Sequence, residues 1–181
     1  MSFDVIVVGG GHAGVEASLA SARLGLKTAL VTLDKAAIGR MSCNPAVGGL
    51  AKGHLVREID ALGGEMAVFT DRAGIQFKML NQSKGKAVWS PRAQVDKKRY
   101  EQLVLSRVLG QENITLIEAE AREVLCRNGR VFGVKIDGEV SLSCRAVVLT
   151  CGTFLNGLIH VGRRKISAGR MGEEASDGIT E

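Results

Sequence analysis

The chain has 181 residues, the size of one domain or one domain with an appendage, and 45% of them are apolar, enough for a real core. No run of 18 or more apolar residues suggests a membrane span, and the short apolar run at residues 5–8 has no basic segment before it, so it reads as a strand and not a signal peptide. The net charge of +5 is unevenly placed: residues 72–99 hold eight Lys and Arg against the single acid Asp96. Such an excess is either the footprint of a polyanion such as nucleic acid or a solvated lysine-rich loop.

In chain order, residues 4–8 (DVIVV) predict a buried parallel strand. A helix follows over residues 13–24, with Val15, Leu19 and Ala22 on one face and Gly25 as its stop. A second strand at 28–32 completes a βαβ unit. The run GRMSCNPAVGG at 39–49 favours neither helix nor strand. A helix is expected over 50–62, with Leu55, Ile59 and Leu62 on its apolar face and Gly63-Gly64 ending it. Residues 67–91 read as long loop with short strands. Asp96 caps a helix over 97–109, and a strand follows at 115–120. Asn128-Gly129 and Asp137-Gly138 are hairpin signals that separate strands at 123–126, 131–136 and 139–144, a three-stranded antiparallel meander. Residues 146–149 (AVVL) predict another buried parallel strand, and from Arg163 the chain is polar with no closing element.

Gly9-Gly10-Gly11-His12-Ala13-Gly14 fits G-x-G-x-x-G between a strand and a helix. The first glycine permits a tight turn, the second admits a pyrophosphate, and the third lets helix pack on strand, while the helix N-terminus offers amides and positive dipole. The acidic ribose partner is open between Asp34 and Thr32. A meander followed by a return to the parallel sheet resembles the layout of the glutathione-reductase-type FAD domain. The fold class is therefore α/β, a Rossmann-like FAD-binding domain with a parallel sheet plus a three-stranded antiparallel meander.

The four cysteines read as free thiols. Cys126 and Cys144 lie in the meander, and Cys151 reads as a small hydrophobe ending a strand. Cys43 sits in a loop before a helix, with Lys52 and Arg57 downstream, where cations, amides and dipole lower a thiol pKa. A disulfide reductase would need a second cysteine five positions away, but Ile38 and Gly48 stand there. A lone thiolate suits covalent nucleophilic catalysis, with an inert thiol as the alternative. His12, His54 and His160 are too scattered for a metal site.

GGGHAG at 9–14, MSCNPAVGG at 41–49, KGHLVREIDALGG at 52–64 and GIQFKMLNQSKGKAV at 74–88 resemble one known family, as do PRAQVDKKRY at 91–100 and LTCGTFLNGLIHVG at 149–162. It is the MnmG/GidA family, the flavoprotein subunit of the tRNA uridine 5-carboxymethylaminomethyl modification enzymes. A related folate-dependent tRNA methyltransferase shares the FAD layout but is less similar in the SCNPA and KGHLV segments.

The resemblance implies modification of the wobble uridine of tRNA with FAD, NADH as reductant and methylene-tetrahydrofolate as carbon donor. It further implies a GTPase partner subunit (MnmE) and a homodimer when full length, while a cytoplasmic location with no membrane association is expected from the lack of an apolar span and of a signal-peptide pattern. The resemblance makes Cys43 the candidate nucleophile for uracil C6, and it puts FAD contacts on Gly9, Gly10, Gly11, His12, Ala13, Gly14, Ala121 and Ser176. It also makes the basic segment a more plausible neighbour of tRNA.

Family members are several times longer. The expectation is thus an N-terminal fragment, with residues 1–162 as the first half of the FAD-binding domain and 163–181 as a polar tail. That fragment is expected to bind FAD weakly if at all and not to turn over. The alternatives are a generic FAD/NAD(P)-dependent oxidoreductase of a small molecule and a non-catalytic Rossmann-like module.

Overall fold

The computed structural model describes residues 1–41, 44–169, 171–172, 175–176 and 179, leaving aside the side chain at 139. The chain opens with strand β1 (Val5–Val8), helix α1 (His12–Arg23), β2 (Thr28–Thr32) and the short β3 (Ala46–Gly48). Helices α2 (Lys52–Ala61) and α3 (Met66–Ala73), strands β4 (Gly74–Leu80) and β5 (Ser90–Val95), and helix α4 (Lys97–Leu109) follow. The remainder is strand: β6 (Ile114–Glu118), β7 (Ala121–Arg127), β8 (Arg130–Ile136), β9 (Ser141–Ser143), β10 (Ala146–Leu149), β11 (Leu158–Val161) and β12 (Arg164–Ser167). These elements form two compact units, residues 39–110 and the remainder on either side.

In the discontinuous unit, four parallel strands lie in the order β10-β1-β2-β6. β1 and β2 are buried along their whole length, as their uninterrupted apolar runs require. Ile6, Val8, Ala29 and Val31 on one face meet Val134, Ile136 and Leu142 of the antiparallel β7-β8-β9 meander. Val15, Leu19 and Ala22 are the buried stripe of α1, which packs on the same sheet. The Asn128-Gly129 turn has both residues at positive φ (51° and 72°), the geometry a two-residue hairpin demands. At the second turn Ile136 N–H donates to the Val140 carbonyl across a three-residue 3-10 turn, in place of the two-residue connection expected.

Two further expectations in this unit need correction. β10 is parallel as expected, but it is an edge strand, so Ala146, Val148 and Leu149 are exposed and the strand is not buried. Beyond it, β11 and β12 pair as an antiparallel hairpin, with β12 in the stretch from Arg163 that was expected to be polar with no closing element. Its turn uses Gly162 at φ 61°.

The other unit has an antiparallel sheet in the order β3-β5-β4. Its core gathers Val47, Val56, Met66, Phe69, Ala93, Val95, Tyr100, Val104 and Val108. The Phe69 and Tyr100 rings meet edge to face with centroids 6.0 Å apart. Asp96 caps α4 by accepting from Arg99 N–H at 3.0 Å, and Gly63-Gly64 ends α2 with amides returned to Asp60 and Ile59. Where long loop with short strands was expected over 67–91, α3 is a helix and β4 a seven-residue strand. The apolar face expected on α2 also faces outward, with Leu55 and Leu62 exposed and Ile59 at the border. The buried side is Gly53 and Val56, because a glycine lets the helix approach the Pro91 carbonyl closely.

Candidate nucleotide-binding site

The carboxyl ends of β1, β2, β6 and β10 lie along one edge of the parallel sheet, the edge where open α/β sheets bind ligands. β1 leads into Gly9, whose φ of 109° is open to glycine and strained for other residues. A Cβ on Gly9 would lie 2.5 Å from the Thr150 carbonyl oxygen. On Gly14 a Cβ would collide with the Gly9 carbonyl, so α1 seats directly on the turn. Gly10 is closed from below, since a Cβ there would stand 2.8 Å from Thr32 Oγ1.

Gly11 differs: a Cβ there would meet nothing within 4 Å. The turn is tight at its first and third glycines and open at its second, which is the shape a pyrophosphate needs. Gly11 is the N-cap of α1 and has no side chain to occupy the helix amides, while His12 and Ala13 open the first turn. His12 is half-buried and Ala13 exposed.

Thr150 closes the turn from the neighbouring strand. Its hydroxyl donates to the Val8 carbonyl at 2.8 Å and lies 3.1 Å from that of Gly9, and its amide also reaches Val8 at 2.8 Å. Nothing in the glycine pattern names this residue. Its only signal is a threonine at the end of the returning strand.

The two ribose candidates have different surroundings. Thr32 is 7% exposed, and its hydroxyl donates to the Asp34 carbonyl at 3.3 Å beneath Gly10. Asp34 accepts from the Ala36 amide at 2.7 Å, capping a 3-10 turn. Each therefore has a structural duty of its own.

Ala121 and Ser176, 55 positions apart in sequence, converge. Ala121 opens β7 and is 4% exposed. Ser176, 7% exposed, donates its hydroxyl to Glu120 at 3.0 Å, one residue before Ala121. Backbone bonds hold it as well, from Ser176 N–H to the Phe154 carbonyl and from Asn156 N–H to that of Ser176. Glu120 is paired in turn with Arg122, and its amide donates to Asp137 at 2.7 Å. Sequence reading did not single out Glu120, which is one acid among many until the tail residue is seen against it.

Cys43 lies outside the described residues. The chain after it is described within its own unit. Arg92 donates to Asn44 Oδ1 at 3.5 Å, and Ala46 and Gly48 pair with Gln94 and Arg92. Lys52, the first residue of α2, donates its ammonium to the Ala46 carbonyl at 3.1 Å. The side chain keeps contact with solvent, but partial burial of its charged end lowers the lysine pKa. Among the other cysteines, burial raises the thiol pKa of Cys144 and of Cys151, and Cys126 is exposed. No helix among the described residues is long and apolar enough to cross a membrane.

The chain matches the family described as "Glucose inhibited division protein A" over residues 4–181. It is 54% identical over 179 residues to the tRNA uridine 5-carboxymethylaminomethyl modification enzyme MnmG of Aquifex aeolicus, covering 99% of this chain and 29% of that protein. It therefore spans under a third of the length of that relative. The crystal structure of Aquifex aeolicus GidA in its form I crystal superposes with a TM-score of 0.95 at 54% identity, over 99% of this chain and 30% of that one. At 18% identity, PqsL of Pseudomonas aeruginosa, a probable FAD-dependent monooxygenase, shares the fold with a TM-score of 0.57 over 81% of this chain and 42% of that one.

Proposed function

From the premise that this chain belongs to the Glucose inhibited division protein A family, we propose that it is the FAD-binding part of an enzyme that modifies the wobble uridine of tRNA at C5. The observation that carries the reading is the glycine turn, sealed at Gly9 and Gly14 and open at Gly11, at the carboxyl edge of the sheet. The amides of His12, Ala13 and Gly14 and the N-terminal dipole of α1 would hold the pyrophosphate. Thr150 would keep the turn in shape, and Ala121 and Ser176 would line the nucleoside end. The residues present fit the cofactor. When bound, FAD supplies the two-electron chemistry of the reaction.

Cys43 is the proposed nucleophile. Its thiolate would add to C6 of the uracil ring, and the electron pair would move to C5 and make that carbon nucleophilic toward a one-carbon unit. Loss of the C5 proton and departure of the thiolate would then restore the ring. NADH as reductant, methylene-tetrahydrofolate as carbon source, the MnmE-type GTPase, a homodimer and a cytoplasmic setting belong to the same proposal.

The test is a graft of these 181 residues in place of the matching part of the Aquifex aeolicus protein, assayed for uridine modification with Cys43 and with Cys43→Ser. The expected result is activity in the first and none in the second, with FAD bound by both. Equal activity would remove Cys43 from the chemistry.

A further inference from the structure

We propose that the outer face of the β3-β5-β4 sheet is a surface for the phosphodiester backbone of single-stranded RNA, with Arg92 and Lys78 as its paired phosphate contacts. The face follows from strand alternation. Val47, Ala93 and Val95 are 3%, 5% and 1% exposed and point into the core. Arg92 and Gln94, which alternate with them on β5, therefore point the other way.

Their register partners point with them. Arg92 stands between Lys78 on β4 and Gly48 on β3, and Gln94 stands between Gln76 and Ala46. The result is two ranks, one of cations and one of amides, spaced about 7 Å apart along the strands. On the β3 side the ranks end in glycine and alanine. Arg92 also reaches Asn44, the residue that follows Cys43 in sequence.

Charge selects the occupant. Among the described residues, none of Lys78, Lys84, Lys86 and Arg92 is paired with a carboxylate. Lys84 and Lys86 continue the cationic run onto the exposed loop between β4 and β5. In the same loop the Trp89 indole N–H donates to the Gln82 carbonyl at 3.2 Å, while the residue stays 37% exposed. Unpaired cations beside amides and an available aromatic ring are what single-stranded RNA binds, through phosphates, base edges and stacking. The tRNA reading above supplies the identity of the RNA, an anticodon loop; the geometry of the face stands without it.

The test is fluorescence anisotropy of a labelled anticodon stem-loop RNA with the 181-residue chain over a series of salt concentrations. Lys78→Gln and Arg92→Gln should each weaken binding about tenfold at low salt and reduce the slope of log K against log salt by about one. Lys98→Gln, an exposed cation of the same segment but on α4, should change neither by more than about twofold. Because Arg92 is half-buried, the exposed Lys78 carries the test if the Arg92 variant loses its circular dichroism signature. RNA binding that is unaffected by Lys78→Gln overturns the assignment of this face and leaves the tRNA reading standing. Failure of the unsubstituted chain to bind the RNA also overturns the assignment of this face, while the tRNA reading is decided by the grafted enzyme.

Discussion

Thr150 and Gly9 fix each other: the Thr150 hydroxyl lies 3.1 Å from the Gly9 carbonyl oxygen it bonds, and a Cβ on Gly9 would lie 2.5 Å from the Thr150 carbonyl. The turn that opens the nucleotide site is thus held by a strand from the far end of the sequence. Thr150→Val keeps the shape and removes the donor, leaving the Val8 and Gly9 carbonyls without it. The expected loss is about 1–2 kcal/mol of stability by urea unfolding, with Thr150→Ser close to unchanged.

The glycines of the turn should separate folding from binding. Gly14→Ala forces a methyl against the Gly9 carbonyl and within 2.7 Å of Thr150 Oγ1, so a loss of about 3 kcal/mol or more is expected. Gly11→Ala meets no atom within 4 Å and keeps an ordinary φ of −71°. Its stability should stay within about 1 kcal/mol of the original, while in the grafted enzyme FAD affinity by flavin fluorescence titration falls at least about tenfold. Equal FAD binding by the Gly11 variant would place the cofactor elsewhere.

Lys52 should leave a signature in the pH dependence of stability. Its folded pKa is lowered by burial from the ordinary lysine value of 10.5. The unfolded chain therefore binds more protons between the two values, and stability rises with pH through that window. Below the folded pKa the cost is fully present. Lys52→Met abolishes this dependence, so its stability relative to the original should be greatest at neutral pH and shrink toward pH 10.5. A difference that stays constant over that range would show that desolvation of Lys52 is not felt.

Thiol labelling should follow burial. At pH 8, iodoacetamide should modify the exposed Cys126 well before Cys144 and Cys151, whose raised pKa values keep less of the reactive thiolate. Peptide mapping of the labelled chain reads the order, and denaturant should erase it. Early labelling of Cys144 would mean that the meander opens locally under native conditions.

What was legible in the sequence is local chemistry. The glycine fingerprint, the Asp96 cap and the Asn-Gly hairpin each act through atoms within a few residues, and each stands where it was expected. The miss on α2 has a physical cause. Periodicity places Leu55, Ile59 and Leu62 on one side of a helix but cannot say which side is covered, and Gly53 decides by letting the helix approach β5 closely. β4 was read only as short strand within long loop: Ile75, Phe77 and Met79 alternate with Gln76 and Lys78 as a strand would, but apolar and polar positions alike are exposed, so the alternation marks no buried face. In the site, the contact between Ser176 and Glu120 joins residues 56 apart, and no local pattern foreshadows it.

The threonine that seals the glycine turn also sets a timetable. Thr150 bonds a carbonyl 142 residues earlier in the chain. Val5–Val8 can pair with Thr28–Thr32 early in synthesis, but the second neighbour of that strand is made only at residues 146–149. At ribosomal speeds of about 5–20 residues per second, the half-built turn waits on the order of 10 s for its closing residue. The nucleotide cradle is begun at residues 5–8 and closed only at residues 146–150, so its ligand has no finished site to enter until that strand has been made.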